Sequence, residues 1–154
     1  NLPNKYAVYL YPSLCLFEGT VVSVGRGTDL PFQVIGHPQY TLGSYVFTPR
    51  PMPGATKPPL METKCIGYDL IGYAEKMNEH PAHLNLSWLI DFHSQLADKT
   101  TFFNNFFEKL AGTAELKKQI EQGLNEQEIR ESWQPKLNEF KKIRKKYLLY
   151  DDFE

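Results

Sequence analysis

Residues 18–28 carry most of the side chains in the first part of the sequence that could do chemistry. They read Glu-Gly-Thr-Val-Val-Ser-Val-Gly-Arg-Gly-Thr, so a carboxylate, a guanidinium and hydroxyl groups stand among glycines. Glycine permits a positive φ and lets a ligand approach the backbone closely. Arg26 lies between two glycines that cannot cover its stem, and such a guanidinium suits a carboxylate or a row of sugar hydroxyls. The candidate ligand-site residues are Glu18, Thr20, Ser23, Arg26 and Thr28.

The same segment also fits a purely structural role. Arg26 could pair with Glu18 to hold a tight hairpin, and composition does not decide between this turn and a ligand site. His37 follows the apolar residues 32–35 in a Gly-His-Pro sequence. It could reach the same edge of the sheet as Arg26, or it could be a turn histidine bonded to the backbone. The sequence therefore leaves Arg26 and His37 each with two possible roles, one in a ligand site and one in a turn.

Several familiar catalytic and cofactor motifs are missing. Residues 25–28 lack the Lys-Ser/Thr ending of a phosphate-binding loop and the third glycine of a dinucleotide site. Neither Ser13 nor Ser23 lies in a Gly-x-Ser-x-Gly nucleophile elbow. His80 and His83 share a metal-like spacing, but no cysteine or acidic residue of comparable spacing stands nearby. We therefore expect no metal and no cofactor.

Carboxylate chemistry is what these exclusions leave. Glu18 is the best-placed acid, and Asp29 and Asp69 are candidates for a second carboxyl group. The aromatic content of 14% supplies ring faces on which sugars stack, although most such rings belong to hydrophobic cores. The residue types are thus compatible with a carbohydrate ligand and do not by themselves select it.

Composition limits the classes of partner. The formal net charge is -1, from 17 Lys+Arg and 18 Asp+Glu, so there is no overall positive field to attract nucleic acid. No apolar run approaches the roughly 18 residues of a transmembrane helix, and we expect no membrane span. Cys15 and Cys65 allow either one disulfide or two free thiols. A chain of 154 residues with 42% hydrophobic residues predicts a single folded domain.

The elements that position these side chains divide the chain in two. Short apolar runs between turn residues predict strands in the first part, and a period of 3.6 residues predicts helices from Leu86 onward. This order favours an α+β fold with a small mixed or antiparallel sheet in the N-terminal half, against which the helices of the C-terminal half pack. Strands are predicted at residues 7–10, 21–24, 32–35, 45–47 and 64–70, and helices at 86–96, 102–110, between 113 and 123, and after 125.

Local signals refine two of these boundaries. Asn125 and Glu128 have the spacing of a capping box, which predicts a helix start. Pro135 predicts that the helix restarts at Ser132, because proline is best tolerated in the first turn. The prolines of residues 48–59 forbid regular helix and predict a long surface loop.

Paired motifs carry a family resemblance. Phe-Glu-Gly-Thr at residues 17–20 is followed by Ser-Val-Gly-Arg-Gly-Thr at 23–28 and Pro-Phe-Gln-Val-Ile-Gly at 31–36, and Tyr-Leu-Leu-Tyr stands at 147–150, near the C-terminus. With these motifs the chain resembles the C-terminal part of the NamZ-type exo-β-N-acetylmuramidases, long described as a bacterial domain of unknown function. The resemblance spans nearly the whole chain and is more specific than any single glycine motif.

This resemblance implies a function for a longer protein. Such enzymes are glycoside hydrolases that remove N-acetylmuramic acid from the non-reducing end of peptidoglycan fragments, and they are exported to the periplasm or the exterior. The chain would be the C-terminal domain of a two-domain enzyme, inactive alone. A Rossmann-like N-terminal domain would form the opposite wall of the active cleft. The alternative is a non-catalytic module that binds cell-wall carbohydrate.

The resemblance also implies roles for individual residues. Arg26 would contact the lactyl carboxylate of N-acetylmuramic acid. Glycosidases usually need two carboxyl groups, so Glu18 would be one and the N-terminal domain would supply the other. The expected cleft residues are Glu18 as the catalytic candidate and Thr20, Ser23, Arg26, Thr28 and His37 as contacts to a muropeptide or other N-acetylmuramic acid saccharide.

Overall fold

The computed structural model describes residues 2–77, 84–96 and 98–152. A three-stranded antiparallel sheet lies in the N-terminal half, and helices make up the C-terminal half, which confirms the predicted α+β class. Within the described ranges, no helix is both long and apolar enough to cross a membrane. In chain order the elements are α1 (Lys5–Leu14), a 3-10 helix (Cys15–Gly19), β1 (Val34–His37), β2 (Tyr45–Phe47), β3 (Cys65–Asp69), α2 (Ile71–Lys76), α3 (Ser87–Gln95), α4 (Phe107–Ala111), α5 (Glu115–Glu121) and α6 (Glu126–Arg144).

The strand predicted at residues 7–10 is wrong, because these residues lie inside α1. Asn4 caps this helix, and its side-chain oxygen accepts a hydrogen bond from the Ala7 amide at 3.1 Å. Ala7, Leu10 and Leu14 are all buried on one face. A run of four residues is too short to distinguish a spacing of three or four from an alternation of two.

The sheet has the order β1-β3-β2, with β3 antiparallel to both neighbours. The strand predicted at residues 45–47 is confirmed, and those predicted at 32–35 and 64–70 overlap β1 and β3. The proline-rich residues 48–59 form no helix or strand, as predicted. Because β1 is an outer strand, its free edge is available to the segment that precedes it.

Residues 21–24 occupy that edge without forming the predicted strand. Ser23 pairs with Gly36 through two backbone hydrogen bonds of 2.9 and 3.0 Å, and no neighbouring residue continues the ladder along β1. Gly25 has a φ of 76°, which turns the chain away from the sheet directly after this bridge. The candidate segment is therefore fastened to β1 at a single point and then turns outward.

The restart predicted at Ser132 is also wrong, since α6 is one continuous helix of 19 residues with Pro135 inside it. The predicted capping box of Asn125 and Glu128 is confirmed at its start. Ser132 lies inside this helix, where its hydroxyl donates to the Ile129 carbonyl at 2.6 Å, so it caps no second helix.

The predicted helix at residues 102–110 is confined to α4. Phe102 and Phe103 precede it in irregular backbone, because Phe103 pairs with Thr20 in an isolated bridge that a helix would break. The predicted end at Gly112 is confirmed, with a φ of 70°. Buried aromatic rings fill the core between these parts, and the rings of Tyr40 and Phe92 stack with centroids 4.1 Å apart.

Candidate functional site

Glu18 and Arg26 form an ion pair near the surface. Glu18 comes from the 3-10 helix, and its Oε2 lies 2.7 Å from Nη2 of Arg26. About a quarter of each side chain remains exposed, 25% for Glu18 and 26% for Arg26. The pairing that the sequence left open is thus present, and solvent or a ligand still has access to both groups.

The ring of Phe32 packs against the guanidinium of this ion pair. Its ring centroid lies 5.0 Å from the guanidinium carbon of Arg26, a cation–π distance, so the cover that the glycines could not give comes from the next turn. The φ of Phe32 is 57°, a left-handed conformation that is unusual for a bulky residue and costs about 1–3 kcal/mol. Such backbone strain is found preferentially at functional sites.

The hydroxyl groups of the segment hydrogen-bond to its own backbone. Thr20 and Thr28 each donate to the carbonyl three residues earlier, at 2.8 and 2.7 Å, and accept from the amide two residues later at 3.1 Å. Ser23 is only 1% exposed, and its Oγ accepts from the Gly25 amide at 3.2 Å. These three residues therefore set the path of the backbone that presents Arg26.

A pocket of about 330 Å³ opens next to the end of the segment. The amide of Arg50 donates to the Gly27 carbonyl at 2.8 Å and joins the proline-rich loop to the segment. A Cβ at Gly27, whose φ is 83°, would lie 2.7 Å from the Arg50 carbonyl oxygen, so only glycine fits there. The residues that line the pocket are Gly27, Thr28, Asp29, Phe47, Thr48, Arg50 and Met52.

Arg50 is the residue of this pocket that the sequence did not single out. It is exposed, and its guanidinium makes no hydrogen bond or ion pair with any residue in the described ranges. Only its contact with Gly27, from a distant part of the chain, brings it to the segment. An arginine among prolines was the available signal, but nothing in the local pattern indicates this approach.

The other acid and histidine candidates have local roles. Nδ1 of His37 accepts from the Gln39 amide at 3.2 Å, which matches a turn histidine, and burial lowers its pKa. In the described part of the chain, no hydrogen bond or ion pair joins His37 to Arg26. Asp69 accepts from the Ile71 amide at 2.8 Å, where α2 begins. Asp29 is exposed at the pocket and is the carboxylate closest to the segment in sequence.

The two cysteines form no disulfide, and the described histidines build no metal site. Cys15 and Cys65 are free thiols, and burial raises the pKa of both, that of Cys65 to about 11, so neither is a ready nucleophile. Across the described ranges, no group of three or more His, Cys, Asp or Glu side chains could hold a metal ion. His80 and His83 lie outside the described residues.

A second polar cluster lies in the interior. Tyr40 is fully buried, its hydroxyl donates to Asp91, and Tyr68 also donates to Asp91 at 3.3 Å. Burial and the nearby carboxylate raise the pKa of Tyr40. The cluster ties β3 to α3 and to the loop after β1, so it stabilises the interior and does not form a surface site.

Comparison with known proteins gives consistent matches. The model of the family described as exo-beta-N-acetylmuramidase NamZ, C-terminal, matches residues 9–150. Among curated proteins, the peptidoglycan beta-N-acetylmuramidase NamZ of Bacillus subtilis (strain 168) is 32% identical, over 97% of this chain and 39% of that protein. Among solved structures, the crystal structure of a DUF1343 family protein from Bacteroides fragilis NCTC 9343 is 47% identical with a TM-score of 0.86, over 97% of this chain and 42% of that one. The chain spans about two-fifths of the length of each relative.

Proposed function

Because this chain belongs to the family of NamZ C-terminal domains, we propose that it is the C-terminal domain of an exo-β-N-acetylmuramidase. The enzyme removes N-acetylmuramic acid from the non-reducing end of peptidoglycan fragments, and it acts outside the cytoplasm. The observation that carries the proposal is the family match over residues 9–150, which includes the Glu18–Arg26 pair. The likeness to the muramidase of Bacillus subtilis supports the substrate class.

The Glu18–Arg26 pair gives the domain one wall of an active cleft. A glycosidase usually needs two carboxyl groups that flank the scissile bond. We assign Glu18 as the carboxyl group of this wall, and the second belongs to a neighbouring domain. The 2.7 Å bond from Arg26 fixes the direction of the Glu18 carboxylate, and Phe32 holds the guanidinium in place. The backbone bonds of Ser23 and the two threonines limit movement of the loop between them.

We also propose that a Rossmann-like domain of the same protein covers the second half of α6. Leu137, Phe140 and Ile143 are 39%, 57% and 53% exposed there. Beside them, between α6 and residues 112–119, lies a groove of about 740 Å³. An apolar surface of this kind marks an interaction site. The relatives are more than twice as long as the matched region, which supports a domain of the same protein as its occupant.

Substitutions in the full-length enzyme test the function directly. We expect Glu18→Gln and Arg26→Ala each to lower release of N-acetylmuramic acid from a chromogenic muramoside at least about tenfold, roughly 1.4 kcal/mol of transition-state stabilisation. Glu131→Gln is the matched control, since Glu131 is an exposed carboxylate on α6 that accepts a hydrogen bond from the Gln127 side chain at 2.9 Å and lines no described pocket. It should retain normal turnover.

Two outcomes would contradict the proposal. Near-normal turnover in both segment variants would make the Glu18–Arg26 pair a structural brace. Unchanged turnover together with calorimetric binding of muropeptides by the 154-residue chain alone would favour a non-catalytic carbohydrate-binding role.

A further inference from the structure

The ion pair of Arg26 limits what this arginine can bind. Its Nη2 already lies 2.7 Å from Glu18, and its guanidinium rests on the Phe32 ring. A substrate carboxylate at Arg26 would stand beside Glu18, and two neighbouring carboxylates repel each other. The chain itself already pairs Arg26 with Glu18, so a second cation would hold the carboxylate of a muramic acid without this repulsion.

Arg50, on the proline-rich loop, provides that cation. Its amide is bonded to Gly27, the immediate neighbour of Arg26, and this bond anchors its backbone beside the pocket. Among described residues no acid pairs with its guanidinium, in contrast to Arg26. A free guanidinium can bind a carboxylate with two parallel hydrogen bonds.

The other walls of the pocket suit a sugar that carries a carboxylate. Thr48 and Asp29 can bond hydroxyl or amide groups, and Phe47 and Met52 provide apolar contact for a methyl group. The volume of about 330 Å³ lies at the lower end of the about 300–1,000 Å³ of small-molecule sites, so one sugar residue is a reasonable occupant. Asp29 repels an anionic group that approaches it. The pocket therefore favours a sugar whose anionic substituent points toward Arg50 and whose neutral groups face Asp29.

We infer that this pocket is the subsite for the lactyl side chain of the terminal sugar, and that Arg50 binds its carboxylate. The inference rests on the proposed muramidase function and deepens it. It divides two tasks between the segment and the proline-rich loop: Glu18 with Arg26 serves the reaction, and Arg50 selects the acidic sugar.

The experiment compares two substrates in the full-length enzyme: a chromogenic N-acetylmuramoside and the same compound with its lactyl carboxylate methylated. We expect Arg50→Gln to lower kcat/KM for the acid at least about tenfold through KM, and to leave kcat/KM for the ester within about twofold of wild type. Arg50→Lys should recover part of the loss, because it restores the charge without the planar fork. Lys57 is an exposed cation of the same loop that does not line the pocket, so Lys57→Gln should leave kcat/KM unchanged for both substrates.

Three results would overturn the inference. Equal losses on acid and ester in Arg50→Gln would indicate a structural role, and unchanged preference for the acid would remove Arg50 from recognition. Loss of the preference in Arg26→Gln, with Arg50→Gln unaffected, would return the carboxylate to Arg26.

A binding measurement separates this inference from the proposed function. Calorimetry with N-acetylmuramic acid and its methyl ester should give weaker binding of the acid to Arg50→Gln than to wild type, and equal binding of the ester. If wild type hydrolyses neither muramoside but shows this pattern, the muramidase function fails and the subsite stands. If wild type hydrolyses the muramoside but binds acid and ester equally, the subsite fails and the function stands.

Discussion

The segment of residues 18–28 and the second half of α6 both reach the surface, but different contacts restrain them. The segment is mostly irregular, yet its hydroxyl groups bond to its own backbone and Gly27 bonds to Arg50. The second half of α6 is regular helix, yet Phe140 is 57% exposed and belongs to an apolar row without cover in the described structure.

The comparison shows that regular secondary structure and tertiary restraint are separate properties. Helical hydrogen bonds fix the local path of α6 but give its outer half no tertiary packing. The irregular segment has few repeating bonds, but side-chain bonds and a long-range contact fix it at several points. A wall of a binding site needs this second kind of order, because a ligand must meet groups that are already in position.

The largest expected effect comes from the point where the segment meets the proline-rich loop. Gly27→Ala should cost the 154-residue chain about 2–5 kcal/mol, from about 1–2 kcal/mol for a left-handed alanine and about 1–3 kcal/mol for the overpacked Cβ. The Cβ would lie 2.5 Å from Pro58 and 2.7 Å from the Arg50 carbonyl oxygen. Urea unfolding measures the change.

Gly54→Ala is the matched control for this substitution. Gly54 has nearly the same φ, 82°, but a Cβ there would meet no atom within 4 Å. It should cost only the conformational part, about 1–2 kcal/mol. If both substitutions lower the free energy of unfolding equally, the proline-rich loop moves aside at little cost and does not restrain the segment.

The next effect contrasts the two halves of α6. Ile129 is fully buried, so Ile129→Ala should cost the chain about 3 kcal/mol, within the usual range for a buried isoleucine. Phe140→Ala should change it by no more than about 0.5 kcal/mol, as for other exposed positions. In the full-length protein, Phe140→Ala should cost clearly more than this, because a partner domain would cover the ring. Equal small costs in both proteins would rule out the proposed cover of α6.

The sequence predicted those parts of the fold that local chemistry determines. The capping box of Asn125 and the end of α4 at Gly112 depend on residues close in sequence, and both are confirmed. The strand at residues 45–47 is also confirmed, although its partner β3 lies about twenty residues away in sequence. The strand predicted at residues 7–10 is wrong because so short an apolar run does not define a period. The strand predicted at residues 21–24 is wrong because Gly25 turns the chain away after a single bridge.

The site was predictable in its residue types but not in its partners. Glu18 and Arg26 were identified from the segment itself, and their pairing remained one alternative of two. Arg50 could not be found, because its approach to Gly27 depends on how the proline-rich loop crosses the surface. The left-handed conformation of Phe32 could not be predicted either, since no local sequence motif indicates a positive φ at a phenylalanine.

The smallest effect concerns a hydroxyl group inside the segment. Ser23→Ala should cost about 1–2 kcal/mol, because the buried amide of Gly25 loses its acceptor and no water can easily replace it. Ser94→Ala is the control, as the Ser94 hydroxyl is exposed and donates to a carbonyl within α3, and its removal should cost less than about 0.5 kcal/mol. Urea unfolding again provides the measurement. If Ser23→Ala costs no more than Ser94→Ala, the Ser23 hydroxyl does not restrain the segment, and its order would depend on the backbone contacts to Gly36, Phe103 and Arg50.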